Sequence, residues 1–330
     1  MQYLVTGADG FLGRHFLATL ADRRISTRAM LQRSVGKVQL PGDPEIVRAE
    51  LLEPDSLNSA VAGATHVVHL AARVHVMNDP SPDPERDYFQ VNVEGTRSLL
   101  TAAGKAGVTH FLLMSTVKAM GEEEVGMFDE SSAPHPMTPY GRSKLAAEQV
   151  VFELARDCGI HASVTRLPMV YGPGAKGNVL RLLDAARRGR RLPLGAIENR
   201  RSMVYVGNVV DAALEVLASP NSAGQVYLVC DERPYSTREF YSAICRAMGK
   251  EPLLRNVPLW AIKLMGRCGD LAELILRRQM PVNSGVVQRI AGDLCFSARK
   301  ITGQVGFVPR FTLAEGVEAM VRWYERTGQA

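Results

Sequence analysis

The chain has 330 residues, enough for one substantial core with a smaller lobe, and its 46% hydrophobic and 22% charged residues are ordinary for a globular protein. Its net charge of +5, from 39 basic and 34 acidic residues, is spread along the sequence and not gathered with aromatics, which argues against a nucleic-acid binder. The five cysteines (158, 230, 245, 268 and 295) include no C-x-x-C pair, so they read as buried thiols of a reducing compartment and not as a disulfide frame or zinc site. No run of about 20 uncharged apolar residues offers a membrane span. A strand that starts almost at Met1 leaves no room for a signal peptide, so the expected location is cytoplasmic.

Tyr3, Leu4 and Val5 form the short apolar run of a buried parallel strand. Gly7, Gly10 and Gly13 then turn the chain into a helix whose Phe16, Leu17 and Leu20 recur at helical spacing. In this strand–turn–helix, backbone can approach a pyrophosphate and the first helical amides can face it, which predicts a dinucleotide site. A tight turn without ligand is the alternative. Ile25 to Leu31 reads as the second strand, ending at Gln32-Arg33. An acid at that tip would bind a ribose 2′-hydroxyl, whereas an arginine would pair with a 2′-phosphate, so Arg33 favours NADP over NAD. A solvated loop arginine is the bland reading.

A short third strand follows from Ile46, and a helix starts at Pro54-Asp55-Ser56 with Ser or Asp near its cap. Thr65 to Leu70 is a fourth apolar strand; its His66 and His69 read as structural, since no Cys or carboxylate cluster accompanies them. Residues 77–87, rich in Pro and Asp, predict a surface loop. Val108 to Met114 is the next strand, and Ser115-Thr116 at its carboxyl end falls where open parallel sheets bind ligands. Thr138-Pro139 then predicts a helix start, placing Tyr140 and Lys144 on one face. A nearby ammonium is expected to bring the phenol's pKa down toward neutrality, with Thr116 hydrogen-bonding the substrate oxygen that Tyr140 protonates or deprotonates.

Together the T-G-x-x-G-F-x-G turn, His69-Leu70-Ala71-Ala72, Asn92-x-x-Gly95-Thr96, Tyr140-x-x-x-Lys144 and Arg166-Leu167-Pro168-Met169-Val170-Tyr171-Gly172-Pro173-Gly174 resemble the extended short-chain dehydrogenase/reductase family, of the epimerase/dehydratase type that acts on nucleotide sugars. The resemblance runs over essentially the whole chain. It implies an α/β Rossmann-type, doubly wound parallel sheet (residues 1–174, with 203–232 and part of the C-terminal region returning to it) and a smaller mixed α/β substrate lobe (175–202 and 233–330). It implies that Phe11 and Leu12 of the turn, Glu50 and Leu51 at the adenine, Leu70, Ala71 and Ala72 at the strand end, Asn92, Tyr140, Lys144 and the backbone near Pro168 hold the cofactor. Thr116, Tyr140 and Lys144 become the catalytic set, while Asn178 and Arg201 would hold a nucleotide diphosphate, and Asp211 would cap a helix. A homodimer packed through the helices of Asn92 and Tyr140 is expected, with no metal.

Two departures narrow the expectation. Val117-Lys118 replace the Asp-Glu of family members that dehydrate a hexose, and Ser115 to Glu122 is similar to a subgroup of O-antigen and capsule sugar 4-epimerases and 4-ketoreductases. Leu194 stands where some epimerases stack an aromatic on the base. NADPH-dependent reduction of a 4-keto nucleotide sugar is the leading expectation, with an NAD-dependent 4-epimerase next and a non-catalytic dinucleotide-binding regulator third. Leu253 to Met280 mixes apolar and charged residues and reads as a lobe helix or oligomer contact, with a membrane-surface helix as the alternative.

Overall fold

The computed structural model describes residues 1–74, 81–121, 126–276, 278, 280 and 283–327, with Arg289 as backbone only. Strands β1 (Gln2–Thr6), β2 (Ser26–Leu31), β3 (Glu45–Arg48), β4 (His66–His69) and β5 (His110–Thr116) come first, followed by the short β6 (Met127–Phe128) and by β7 (His161–Leu167). The chain continues through β8 (Met169–Tyr171), β9 (Met203–Tyr205), β10 (Gln225–Leu228) and β11 (Cys295–Phe296). Seven of these strands form one parallel sheet in the order β10-β7-β5-β4-β1-β2-β3. The chain leaves β1 toward one edge and returns at β4 toward the other, so the topological switch lies between β1 and β4. A crevice is expected beyond their carboxyl ends.

Fully buried central strands need apolar side chains on both faces, and both faces are covered. Helices Phe11–Asp22 and Val206–Ala218 pack Phe16, Leu17, Val210 and Leu217 on one face. On the other, Pro54–Val61, Gly95–Lys105 and Pro139–Cys158 contribute Leu57, Leu99, Leu100 and Val151. A third core joins Val179, Leu183, Phe240, Ile244, Val317 and Tyr324, and this is the smaller lobe. The lobe is discontinuous, because Ile301 and Phe307 return to the main core whereas the final helix, Leu313–Arg326, packs in the lobe.

Several sequence expectations need correction. Of the expected loop 77–87, residues 77–80 lie outside the described residues, and Pro84–Phe89 is helical. The Asp83 side chain accepts from the Arg86 amide and Pro84 occupies the first turn, so the loop's own residues start a helix. The Pro54 helix is preceded by Glu53 without a side-chain cap. Asp211 caps nothing: it sits inside Val206–Ala218 and pairs with Arg23 (2.7 Å) and Arg310 (3.4 Å). All five cysteines are free, and Cys158 and Cys268 are exposed, not buried.

Candidate active site

At the switch point lies a crevice of about 480 Å³. Its walls include Gly7, Gly10, Phe11, Leu12 and Gly13 of the opening turn, Glu50 and Leu51 after β3, and Leu70, Ala71 and Ala72 after β4. The turn is built tightly: a Cβ on Gly7 would meet the Ala71 nitrogen at 2.9 Å, and one on Gly13 the Gly7 carbonyl oxygen at 2.3 Å. No side chain caps the helix that starts at Phe11, so its first amides are left for an anion. A glycine cradle, uncapped amides and an apolar slot fit a dinucleotide.

Arg33 stands at the second-strand tip in carboxylate company. Its guanidinium pairs with Glu53 at 2.5 Å, and its backbone amide donates to Glu50 Oε1 at 2.7 Å. Neither acid could be assigned to this tip from sequence, because it is the pairing of β2 with β3 that brings them there.

The strand end beside the glycines is held by a buried chain of hydrogen bonds. Thr6 Oγ1 accepts the amides of Leu70 and Ala71 (both 3.1 Å), so its own proton goes to His69 Nδ1 (2.8 Å). His69 Nε2 then donates to Thr96 Oγ1 (3.0 Å), whose proton goes to the Asn92 carbonyl (2.6 Å). His69 is therefore a neutral spacer that fixes the crevice wall. Asn92, expected at the cofactor, lies in a π-helical turn (Gln90–Glu94). Its amide donates to the Arg73 carbonyl and Ser143 Oγ and accepts the Arg73 amide, so both its donors are spent on protein and it braces the crevice without lining it. Pro168, also expected there, is buried, and like Asn92, Thr116, Tyr140 and Lys144 it is not among the residues that line this crevice.

His66 belongs to a different row at the opposite end of the strands. It stacks on Tyr3 (4.6 Å) and His110 (4.5 Å), and His110 stacks on His161 (4.9 Å). Burial holds His69 down to about 3, and burial together with the His110 charge holds His66 down to about 4, both from 6.5. The unfolded chain therefore takes up these protons first. Stability is complete above the ordinary histidine pKa and is lost as pH falls through the window from 6.5 toward 4 for His66 and 3 for His69. Urea unfolding at about pH 5 is expected to show a stability lower by about 2 kcal/mol for each of the two than above neutrality. An unchanged midpoint would refute the neutral assignment.

Helix Pro139–Cys158 delivers Tyr140 and Lys144. Thr138 caps it, accepting the Gly141 amide at 3.1 Å, as the sequence predicted. A Cβ on Gly141 would lie 2.4 Å from the Lys118 carbonyl oxygen, so the turn Val117–Ala119 after β5 seats directly on the helix start. Lys144 Nζ donates to the Met114 carbonyl (2.8 Å), two residues before Thr116. The carboxyl end of β5 thus gathers Thr116, Tyr140 and Lys144, and the Tyr140 ring packs 5.8 Å from that of Tyr88. The tyrosine's titration differs from expectation. Burial, with Tyr88 beside it, pushes Tyr140 up to about 12 instead of down. Burial also lowers Lys144 to about 8, with the Glu148 charge acting the other way. With its pKa raised by burial, Tyr140 without a ligand is a neutral phenol.

Glu148, one turn beyond Lys144, was not singled out by sequence reasoning. It is buried, pairs with buried Arg166 (2.6 Å) and accepts a bond from Ser115 Oγ. Its signal was available: spacing of four from Lys144 on the same helix face.

In the lobe, Asn178 and Arg201 line a cavity of about 380 Å³, joined by Arg181 and Arg190, which sequence reasoning missed. Leu194 and Phe240 are among its apolar walls. Among the described residues no group of three or more His, Cys, Asp or Glu could hold a metal ion, and no helix is long and apolar enough to cross a membrane.

The NAD dependent epimerase/dehydratase family model matches residues 3–230. A UDP-glucose 4-epimerase of Vibrio cholerae is 31% identical over 99% of this chain and 94% of its own. A protein of Escherichia coli O157:H7, named N-acetyl-alpha-D-glucosaminyl-diphospho-ditrans,octacis-undecaprenol 4-epimerase, is 30% identical over 97% and 94%. The UDP-glucose 4-epimerase of Thermotoga maritima, solved with UDP-glucose, superposes with a TM-score of 0.79 at 25% identity over 99% of each chain. MoeE5 in complex with UDP-glucuronic acid and NAD gives 0.75 at 26% identity over 99% and 100%. With the glycine cradle at the sheet's switch point and the family model matched along most of the sequence, this chain belongs to the NAD-dependent epimerase/dehydratase family of enzymes.

Proposed function

We propose that the protein is an NAD-dependent 4-epimerase of a nucleotide-diphosphate sugar. The observation that carries the reading is the carboxylate pair at the second-strand tip. Glu50 occupies the Arg33 amide and Glu53 its guanidinium, so a 2′-phosphate would have to displace or face two negative charges, whereas a 2′-hydroxyl would meet an acceptor. NAD is thereby favoured over NADP, against the expectation from Arg33 alone. The 4-epimerases among the relatives support the same reading.

The bound nicotinamide would supply reversible hydride exchange at C4. Tyr140 would take the proton of the C4 hydroxyl and return it, Thr116 would hold that oxygen, and Lys144 would anchor the ribose side and set the charge around the phenol. Arg201, Arg181, Arg190 and Asn178 would hold the diphosphate and sugar in the lobe cavity. Val117, buried after Thr116, leaves no acid–base pair for removing water from the hexose, which speaks against a dehydratase.

One observation favours the reductase alternative: Tyr140 rests as a neutral phenol, the form that donates a proton to a forming alkoxide. Calorimetric titration is expected to give NAD a dissociation constant at least about tenfold below that of NADP. The purified enzyme is expected to interconvert C4 epimers of a UDP-sugar without consuming NADPH. Tighter NADP binding with stoichiometric NADPH oxidation on a 4-keto sugar would replace the epimerase reading with the reductase one.

A further inference from the structure

Helix Leu259–Leu276 buries a narrow seam, Ile262, Gly266 and Gly269, against the helix Ser284–Ala291. Its opposite face is apolar and exposed. Trp260, Leu264, Leu271 and Ile275 follow one another at spacings of four and seven, which stack on one side of a helix, and Trp260 is 69% exposed. Soluble proteins rarely leave such a stripe open.

Two cations of the same helix stand beside the stripe. Lys263 and Arg267 lie on one flank with Leu274, which is 77% exposed, and neither makes an ion pair among the described residues. Lys263 and Arg267 also border a groove of about 570 Å³ that includes Glu198 and Asp293. The helix's own acids are engaged by the segment that follows it: Asp270, three residues after Arg267, accepts the Ser284 amide (2.9 Å), and Glu273 accepts the Met280 amide (2.7 Å) and Asn283 Nδ2 (2.9 Å).

We infer that this face docks on an anionic membrane surface, with the apolar stripe at the acyl boundary and the cationic row among the headgroups. An amphipathic helix binds a bilayer with this division, an apolar face for the interface and Lys or Arg for anionic lipid. A second copy of the chain is a poorer occupant in the antiparallel pairing of the two helices, because a two-fold contact of that kind brings Lys263 and Arg267 of both copies to the same side. Ile262 and Met265 of the same helix line the substrate-lobe cavity, so docking sets that cavity beside the headgroup layer. The inference is independent of which C4 reaction the enzyme performs.

The test is co-sedimentation of the full chain with phosphatidylcholine vesicles and with vesicles rich in phosphatidylglycerol. Binding is expected to the anionic vesicles alone, to weaken with salt, and to fall at least about tenfold in a Leu271→Glu/Ile275→Glu protein. Both positions are exposed, so the variant's circular dichroism and melting temperature are expected to match the wild type. Trp260 emission is expected to shift to the blue on anionic vesicles. A Trp260→Phe protein is expected to keep binding and lose that shift. Absence of binding to the anionic vesicles, or binding indifferent to the double substitution, would overturn the inference. So would a wild-type dimer that ignores vesicles and that the double variant turns into a monomer, which would give this face to a second copy.

Discussion

A Tyr140→Phe protein is expected to fold, bind the dinucleotide and lose turnover by about two to four orders of magnitude. The ring packing against Tyr88 survives, because phenylalanine keeps the aromatic body, and the Thr138 cap and the Gly141 contact lie outside the substitution. What disappears is the hydroxyl that, in the proposed reaction, exchanges a proton with the C4 oxygen. Single-turnover measurement with cofactor and a UDP-sugar separates binding from chemistry. Turnover near the wild-type rate would take Tyr140 out of the reaction and return the protein to a dinucleotide-binding role. Burial sets this phenol's free-enzyme pKa to about 12, so the loss is expected across the neutral range and not only at one pH.

The second large effect is expected at Glu148. Its carboxylate sits between Arg166, Ser115 Oγ and the helix carrying Lys144, with Arg166 and Glu148 both buried. Glu148→Gln leaves the guanidinium without its counter-charge, and removing one partner of a buried pair costs about 3–5 kcal/mol. Calorimetry is expected to show a melting temperature lower by roughly 5–10 °C. A distinct consequence follows at Lys144, which burial holds at about 8 while the Glu148 charge pushes it upward. Without that charge the ammonium deprotonates at lower pH, so the alkaline loss of activity is expected to begin earlier. A Glu148→Gln/Arg166→Met protein removes both charges and is expected to recover stability while the alkaline limb stays displaced. Recovery of both would reduce Glu148 to a structural residue; recovery of stability alone would make it a positioning residue for Lys144.

The sequence by itself determined the frame of this protein. Local signals carried it: an apolar run before Gly7, Gly10 and Gly13, the Thr138-Pro139 start, and the spacing of four between Tyr140 and Lys144. Each depends on residues a few positions apart, whose steric and hydrogen-bonding demands are set before the chain folds. Family motifs extended the reading to Glu50, Leu51, Ala71 and Ala72, which the structure sets on the crevice wall, and to Asn178 and Arg201, which it sets in the lobe cavity.

Only the tertiary structure decided the charges at those places. Glu53 reaches Arg33 from a separate element, and Glu148 meets Arg166 because two elements cross in the core. Asn92 became a brace and His69 a neutral spacer because partners distant in sequence used up their donors and acceptors. The same holds for Tyr140, where spacing brought an ammonium onto the right face but burial, with Tyr88 beside it, reversed the direction of its pKa. Periodicity fixes which side of a helix a group occupies. The dielectric around it and the partner it finally meets are properties of the packed interior, where desolvation outweighs a charge one turn away.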